Sequence, residues 1–151
     1  MDMTDLITPQ SVIPDLRAGS KAEVLAVLAK RAAELTGLDP TTVYHGLIER
    51  ERLGTTGVGN GIAIPHARLA DLERLCVVFA RLPRPIDFEA IDEHPVDLVV
   101  LLLTPEGAGA DHLKALSRIS RLLRDADLCR KLRATGAVDG LCGLLIERMH
   151  A

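Results

Sequence analysis

"RLCVVFARLPRPIDFEAIDEHPVDLVVLLLT", residues 74–104, decides the fold. Two runs within it, Arg74–Leu82 and Val96–Thr104, are dense in β-branched and apolar residues. Such continuous runs fit central strands covered on both faces, because a half-exposed strand alternates apolar and polar positions. The stretch between them, "PRPIDFEAIDEHP", holds three prolines and reads as a loop.

The flanks supply the covering layers. "GSKAEVLAVLAKRAAELTG", residues 19–37, reads as a helix with Ser20 and Glu23 as a capping box, an apolar stripe of Val24, Leu25, Leu28 and Leu35, and Gly37 as its stop. Asp39 caps a second helix with Pro40 in its first position; this helix carries Val43, Leu47 and Ile48 and ends near Arg52. Ile62 to Ile64 reads as a third, short strand. After "TPEGAGAD" a helix turns Leu113, Leu116, Ile119, Leu122 and Leu123 inward, and two shorter helices follow over 126–133 and 138–148. Helices, then strands, then helices specify an α/β fold: three layers, α/β/α, with a small central mixed sheet and C-terminal helices. Length points to a single domain over 1–151.

Composition excludes several functions. Aromatic residues are 2% with no Trp, so base stacking has little to work with. The net charge of −3 and the lack of a basic block argue against a phosphate-backbone binder, and no nucleic acid is expected. Leu98–Leu103 is too short to span a bilayer, and the acidic "MDMTDLITPQ" is no signal peptide; no membrane insertion is expected, and the cytoplasm is the expected compartment. Cys76, Cys129 and Cys142 are odd in number and widely spaced, which fits core thiols and neither a zinc site nor a disulfide frame.

Chemistry concentrates in "GTTGVGNGIAIPHARL", residues 54–69. A dinucleotide fingerprint fails, since Ile62 stands where its third glycine belongs and the loop leads from helix into strand. An NTPase phosphate loop fails too, because Asn60 and Gly61 replace its Lys and Ser/Thr. What remains is an anion cradle with a nucleophile. Glycines let backbone N–H groups turn toward a phosphoryl oxygen, the Thr55 and Thr56 hydroxyls can donate, and an imidazole is a good nucleophile near neutral pH. Pro65 holds Ile64 extended and fixes where His66 points.

"GTTGVGNGIAIPHA" resembles the active-site signature of the enzyme IIA components of the phosphoenolpyruvate-dependent phosphotransferase system, fructose/mannitol/nitrogen class: an Arg-Glu pair (Arg50-Glu51), then Gly54-Thr55-Thr56-Gly57-Val58-Gly59, then Ile62-Ala63-Ile64-Pro65-His66-Ala67. The likeness continues through "LPRPIDFEAIDEHPVDLVVLLLTPE" and "DHLKALSRISRLLRD", including His112-Leu113. The resemblance implies that His66 accepts a phosphoryl group on Nε2 from an HPr-like phosphocarrier protein, that His112 is the second active-site histidine, and that Arg50 stabilises the phosphoryl charge. Thr55, Thr56, Gly57 and Gly59 are its expected phosphoryl-binding residues, with Glu51 orienting Arg50. No cofactor and no metal are called for. Phosphoryl transfer has a loose transition state, so positioned charge is the main requirement.

Two branches share this signature. Sugar-type members pass the group to a cysteine of enzyme IIB; nitrogen-type members use their phosphorylation state to regulate partners such as potassium transport machinery or sensor kinases. "GVGNGIAIPH", "PIDFEAIDEHPVDL" and the free-standing length favour the nitrogen type. An apolar rim is expected to receive the carrier, with Asp87 or Glu93 steering it. Two rivals weigh against this reading: a non-catalytic interaction module such as those of anion transporters, and a metal hydrolase on His66 and His112. The first sits poorly with Pro65-His66 and His112; the second lacks a close-spaced ligand pair.

Overall fold

The computed structural model describes residues 3–150. After two short 3-10 turns (Met3–Leu6 and Pro9–Ser11), its strands and α-helices in chain order are β1 (Val12–Ile13), α1 (Lys21–Thr36), α2 (Pro40–Arg52), β2 (Gly57–Gly59), β3 (Ile62–Ala63), β4 (His66–Leu69), β5 (Cys76–Ile86), β6 (Val96–Pro105), α3 (Ala110–Leu123), α4 (Ala126–Ala134) and α5 (Val138–His150).

The two long apolar runs are the sheet's centre. β5 and β6 pair antiparallel, Cys76 opposite Leu103 and Arg81 opposite Leu98. Alternation along them feeds two separate cores. Val78, Ala80, Leu82, Val99, Leu101 and Leu103 face α1 and α2, while Val77, Phe79, Leu98, Val100 and Leu102 face α3, α4 and α5. Both faces are therefore covered, as their continuous hydrophobicity required, and the three-layer α/β/α arrangement with a mixed sheet is what the structure shows.

The sheet has six strands, ordered β1-β5-β6-β3-β2 with β4 also on β6. Sequence reading located β3, β5 and β6. The other three are short edge pieces. β3 and β4 are one strand in register: Ile62 pairs with Leu98 and His66 with Leu102, a constant offset across the break. The break falls at Ile64-Pro65, because proline has no N–H to give the ladder; the Ile64 N–H goes to the Thr56 carbonyl instead. β5 also runs past its expected end, since Pro83–Ile86 stay extended.

The helix caps are as expected with one variation. The Ser20 hydroxyl accepts the Glu23 N–H, but Glu23 reaches back to the Gly19 N–H, one residue earlier. Gly37, at φ 80°, closes α1, and the Asp39 carboxylate accepts the Thr41 N–H. Two side chains depart from the expected stripes. Leu35 lies at the open end of α1, facing a cavity of about 620 Å³ lined also by Leu38, Asp71 and Cys76. Leu113 is 63% exposed, because the buried arc of α3 runs through His112, Ala115, Ile119 and Leu123. All three cysteines are buried free thiols, and burial pushes the Cys76 thiol up to about 11.

The glycine segment is a strand hairpin. β2 and β3 are joined by Asn60-Gly61, both at positive φ (58° and 78°), the geometry of a primed two-residue turn. Four outside groups pin it. Asp92 accepts the Asn60 N–H, the Arg133 guanidinium donates to the Asn60 carbonyl while paired with Asp97, and the Gly61 carbonyl accepts the Asp97 and Leu98 N–H groups. Gly57 lies so close to the 88–92 loop that a Cβ would sit 2.8 Å from the Ala90 Cα. Gly57→Ala must push backbone apart, and we expect it to lower stability by about 1–3 kcal/mol, read as a lower denaturant midpoint at unchanged slope.

Candidate functional site

The site forms where β4 leaves the proline break. His66 is the first residue of β4, on the same face as Ile64, the face covered by α3. Its Nδ1 lies 2.8 Å from the Ile64 carbonyl oxygen. A carbonyl can only accept, so Nδ1 carries the ring proton. The Arg50 Nε–H, 3.1 Å away, donates to Nε2. Nε2 therefore holds the lone pair, and two independent bonds fix one tautomer. Of the two ring nitrogens, Nε2 is the one with a lone pair that could act as a nucleophile.

Arg50 comes from the last turn of α2. Its Nη1 donates to the Gly54 carbonyl at 2.8 Å, which braces the side chain against the start of the glycine segment. Among the described residues no carboxylate pairs with it, and Nη2 has no protein partner. Glu51, expected to orient Arg50, does something else. Its nearly buried carboxylate accepts the Thr56 N–H and hydroxyl and pairs with Lys21 at 2.9 Å. Lys21 also lies over the Phe88 ring, 4.9 Å from its centroid. Glu51 thus holds the loop, and Lys21 neutralises its charge.

His112 stands on the buried arc of α3, 6% exposed. Its Nδ1 is 2.6 Å from the Oγ1 of Thr104, a buried residue near the end of β6. The His66 and His112 ring centroids are 5.6 Å apart, so the structure brings together two residues that lie far apart in sequence. Thr55 and Thr56 lie at the loop with their hydroxyl protons committed: Thr55 donates to the Phe88 carbonyl, Thr56 to Glu51. Gly57 and Gly59 sit in β2, with the Gly57 N–H on the Thr55 hydroxyl and the Gly57 carbonyl on the Ile91 N–H.

The sequence reading missed Thr104 and Arg68. Arg68 is two residues beyond His66 on β4, on the same strand face, and its charge acts on both imidazoles. Burial holds His66 below the ordinary histidine value, helped by Arg50 and Arg68 and opposed by the Ile64 carbonyl and Glu51. Burial also lowers His112, with Arg68 and His66 adding to it. Both rings are thus neutral near pH 7. No group of three or more His, Cys, Asp or Glu among the described residues could hold a metal ion, and no helix among them is long and apolar enough to cross a membrane.

Comparison with known proteins gives this geometry a family. Residues 5–147 match the family model of the phosphoenolpyruvate-dependent sugar phosphotransferase system, EIIA 2. The chain is 55% identical over 145 residues, 96% of its length and 95% of the relative's, to a nitrogen regulatory protein of Bradyrhizobium diazoefficiens. The crystal structure of nitrogen regulatory protein IIA-Ntr from Neisseria meningitidis superposes at a TM-score of 0.90, with 29% identity over 95% of this chain and 98% of that one. The mannitol enzyme IIA of Escherichia coli, solved in complex with phosphorylated mannitol enzyme IIB, shares the fold at a TM-score of 0.78 and 21% identity, over 91% of this chain and 95% of that one. The chain belongs to the EIIA 2 family and is a component of the phosphotransferase type.

The lowered midpoints make a signed prediction. Between about pH 6.5 and the lower folded-state midpoints the unfolded chain binds more protons than the native protein, so stability falls as pH drops through that window and is flat just above it. Arg50→Gln removes both a nearby cation and a donor to the neutral ring. In a side-chain NMR titration it raises the His66 midpoint, and an unchanged midpoint contradicts the geometry.

Proposed function

We propose that this protein is a phosphoryl carrier of the nitrogen-regulatory kind, with His66 as acceptor and an HPr-like phosphocarrier as donor. The observation that carries the reading is the fixed tautomer of His66, with its Nε2 lone pair presented beside an arginine that has no carboxylate partner among the described residues. In the transfer, the Nε2 lone pair attacks phosphorus as the P–N bond to the carrier's histidine breaks, and that electron pair returns to the carrier's ring. The His66 Nδ1 proton stays in place. Positive charge that develops on the ring is met by the Ile64 carbonyl, the group that already favours the charged ring. Once Nε2 is bonded to phosphorus it no longer accepts from Arg50, so the guanidinium N–H groups turn to phosphoryl oxygens.

His112 is the second donor. This role requires the Thr104 hydroxyl, which can donate or accept, to donate to His112 Nδ1, leaving the ring proton on Nε2 for a phosphoryl oxygen. Thr55, Thr56, Gly57 and Gly59, expected on the phosphoryl group, act through the loop: their hydrogen bonds set the hairpin and its distance from His66. The rest of the recognition is apolar. Leu53, Val58, Ile91 and Leu113 are exposed side chains on the α2 end, the hairpin, its backing loop and α3. We place the carrier, and then the regulated partners, on this rim. Asp87 and Glu93 line a shallow depression in that backing loop, a position from which they can steer an approaching partner.

The regulatory reading rests on the nitrogen regulatory relatives, and the buried free thiols support a cytoplasmic setting, where the proposed carrier would be met. The sugar-transport reading has a specific support as well, the shared fold with a mannitol enzyme IIA solved with its IIB. Incubation with phosphoenolpyruvate, enzyme I and the carrier should add one acid-labile phosphoryl group, read by intact-mass spectrometry. His66→Ala should take none. Arg50→Gln and His112→Gln should slow uptake by roughly 10- to 100-fold, the equivalent of one or two charge-assisted bonds in the transition state. Uptake by His66→Ala at the wild-type rate rules the assignment out.

A further inference from the structure

Arg68 is the charged group near the two imidazoles that neither the signature nor the hydrogen-bond network uses. Three placements define it. In an extended strand, residues two apart point to the same face with Cα atoms about 6.6 Å apart, so His66 and Arg68 project from β4 side by side. In the parallel ladder Arg68 pairs with Thr104, the residue whose hydroxyl meets His112 Nδ1. Arg68 is therefore bracketed by His66 along its own strand and by the Thr104–His112 pair on the next one. Finally, among the described residues it has no ion pair and no hydrogen bond, and it is exposed.

We propose that Arg68 is a second guanidinium of the site and binds an oxygen of the phosphoryl group carried on His66, sharing it with Arg50 and His112. The inference rests on His66 being the acceptor. The charges around the site give it a physical basis. The site's carboxylate, Glu51, is paired with Lys21, so Arg50 and Arg68 bring two uncompensated positive charges to the two neutral rings. A phosphoryl group brings up to two negative charges. An unoccupied site thus carries the charge that its occupant needs. Arg68 also favours the neutral form of both rings, which keeps Nε2 of His66 nucleophilic. The guanidinium fork suits phosphoryl oxygens, and its long stem lets it follow the group as the bond to the carrier breaks.

The ordinary alternative is a solvated arginine near a strand end, and the test separates the two. Wild type, Arg68→Gln and Arg68→Lys are phosphorylated with phosphoenolpyruvate, enzyme I and the carrier. The phosphoryl group is then titrated by its ³¹P shift. A cation in contact stabilises the dianion, so Arg68→Gln should raise the phosphoryl midpoint by about half a unit or more, and Arg68→Lys should restore most of the difference. Phosphoryl uptake should slow by about tenfold in Arg68→Gln. A wild-type titration curve in a fully phosphorylated Arg68→Gln protein overturns this proposal and leaves the His66 assignment standing. Failure of wild type to take any phosphoryl group overturns both.

Discussion

The hydrogen bond from His66 Nδ1 to the Ile64 carbonyl is the constraint on which the site depends. It exists because Pro65 stands between the two residues. Proline takes a donor out of the β3–β4 ladder and keeps Ile64 extended, so the chain pauses while its register on β6 continues unchanged. The carbonyl of Ile64 is then reached by the His66 side chain. This contact decides which nitrogen holds the proton, and so which one would attack phosphorus in the proposed transfer. It also leaves a dipole aimed at the ring where positive charge develops. The glycine hairpin serves the same end. It closes against Asp92, Arg133 and the 88–92 loop, and through the Thr56 carbonyl it holds the Ile64 N–H.

Electrostatics follows from how charges are paired. Glu51 lies next to Arg50 in sequence, yet its carboxylate is turned toward Lys21 and Thr56. That arrangement keeps Arg50 free. A buried salt bridge to Arg50 would have given a quieter resting state and a weaker grip on an incoming dianion. The two neutral histidines add hydrogen-bonding capacity without adding charge, and burial is the main cause of their neutrality. On the proposed reading, exposed apolar side chains such as Leu53 and Ile91 would serve a donor and a regulated partner alike, while a phosphoryl group on His66 would change the charge between them.

The layers of the fold were legible in the sequence because their signals are local and repeated. The β5 and β6 runs, the Ser20 and Asp39 caps and the Gly37 stop each carry a physical reason within a few residues. β1, β2 and β4 were not legible, since strands of two to four residues at a sheet edge have no periodicity to read, and β2 is written in glycine. The Asn-Gly dipeptide was the available signal for the hairpin. Leu113 was assigned inward on hydrophobicity, whereas His112 occupies that arc because Thr104 satisfies its ring nitrogen. No local pattern reveals such a partner eight residues away across a loop. Arg68 was within reach: two residues after a strand histidine means the same face. The Arg-Glu pair of the signature suggests that Glu51 orients Arg50, but neighbours on a helix point in different directions, and Glu51 turns to Thr56 and Lys21.

The tautomer of His66 decides which ring nitrogen can react, and long-range ¹H–¹⁵N correlation of the imidazole rings in the unphosphorylated protein near neutral pH measures it directly. The structure requires a protonated Nδ1 and a Nε2 with the shift of an unprotonated ring nitrogen, perturbed further by the donor from Arg50. A ring with its proton on Nε2, or one fully protonated at that pH, would contradict the hydrogen bonds to Ile64 and Arg50 and with them the assignment of the nucleophile.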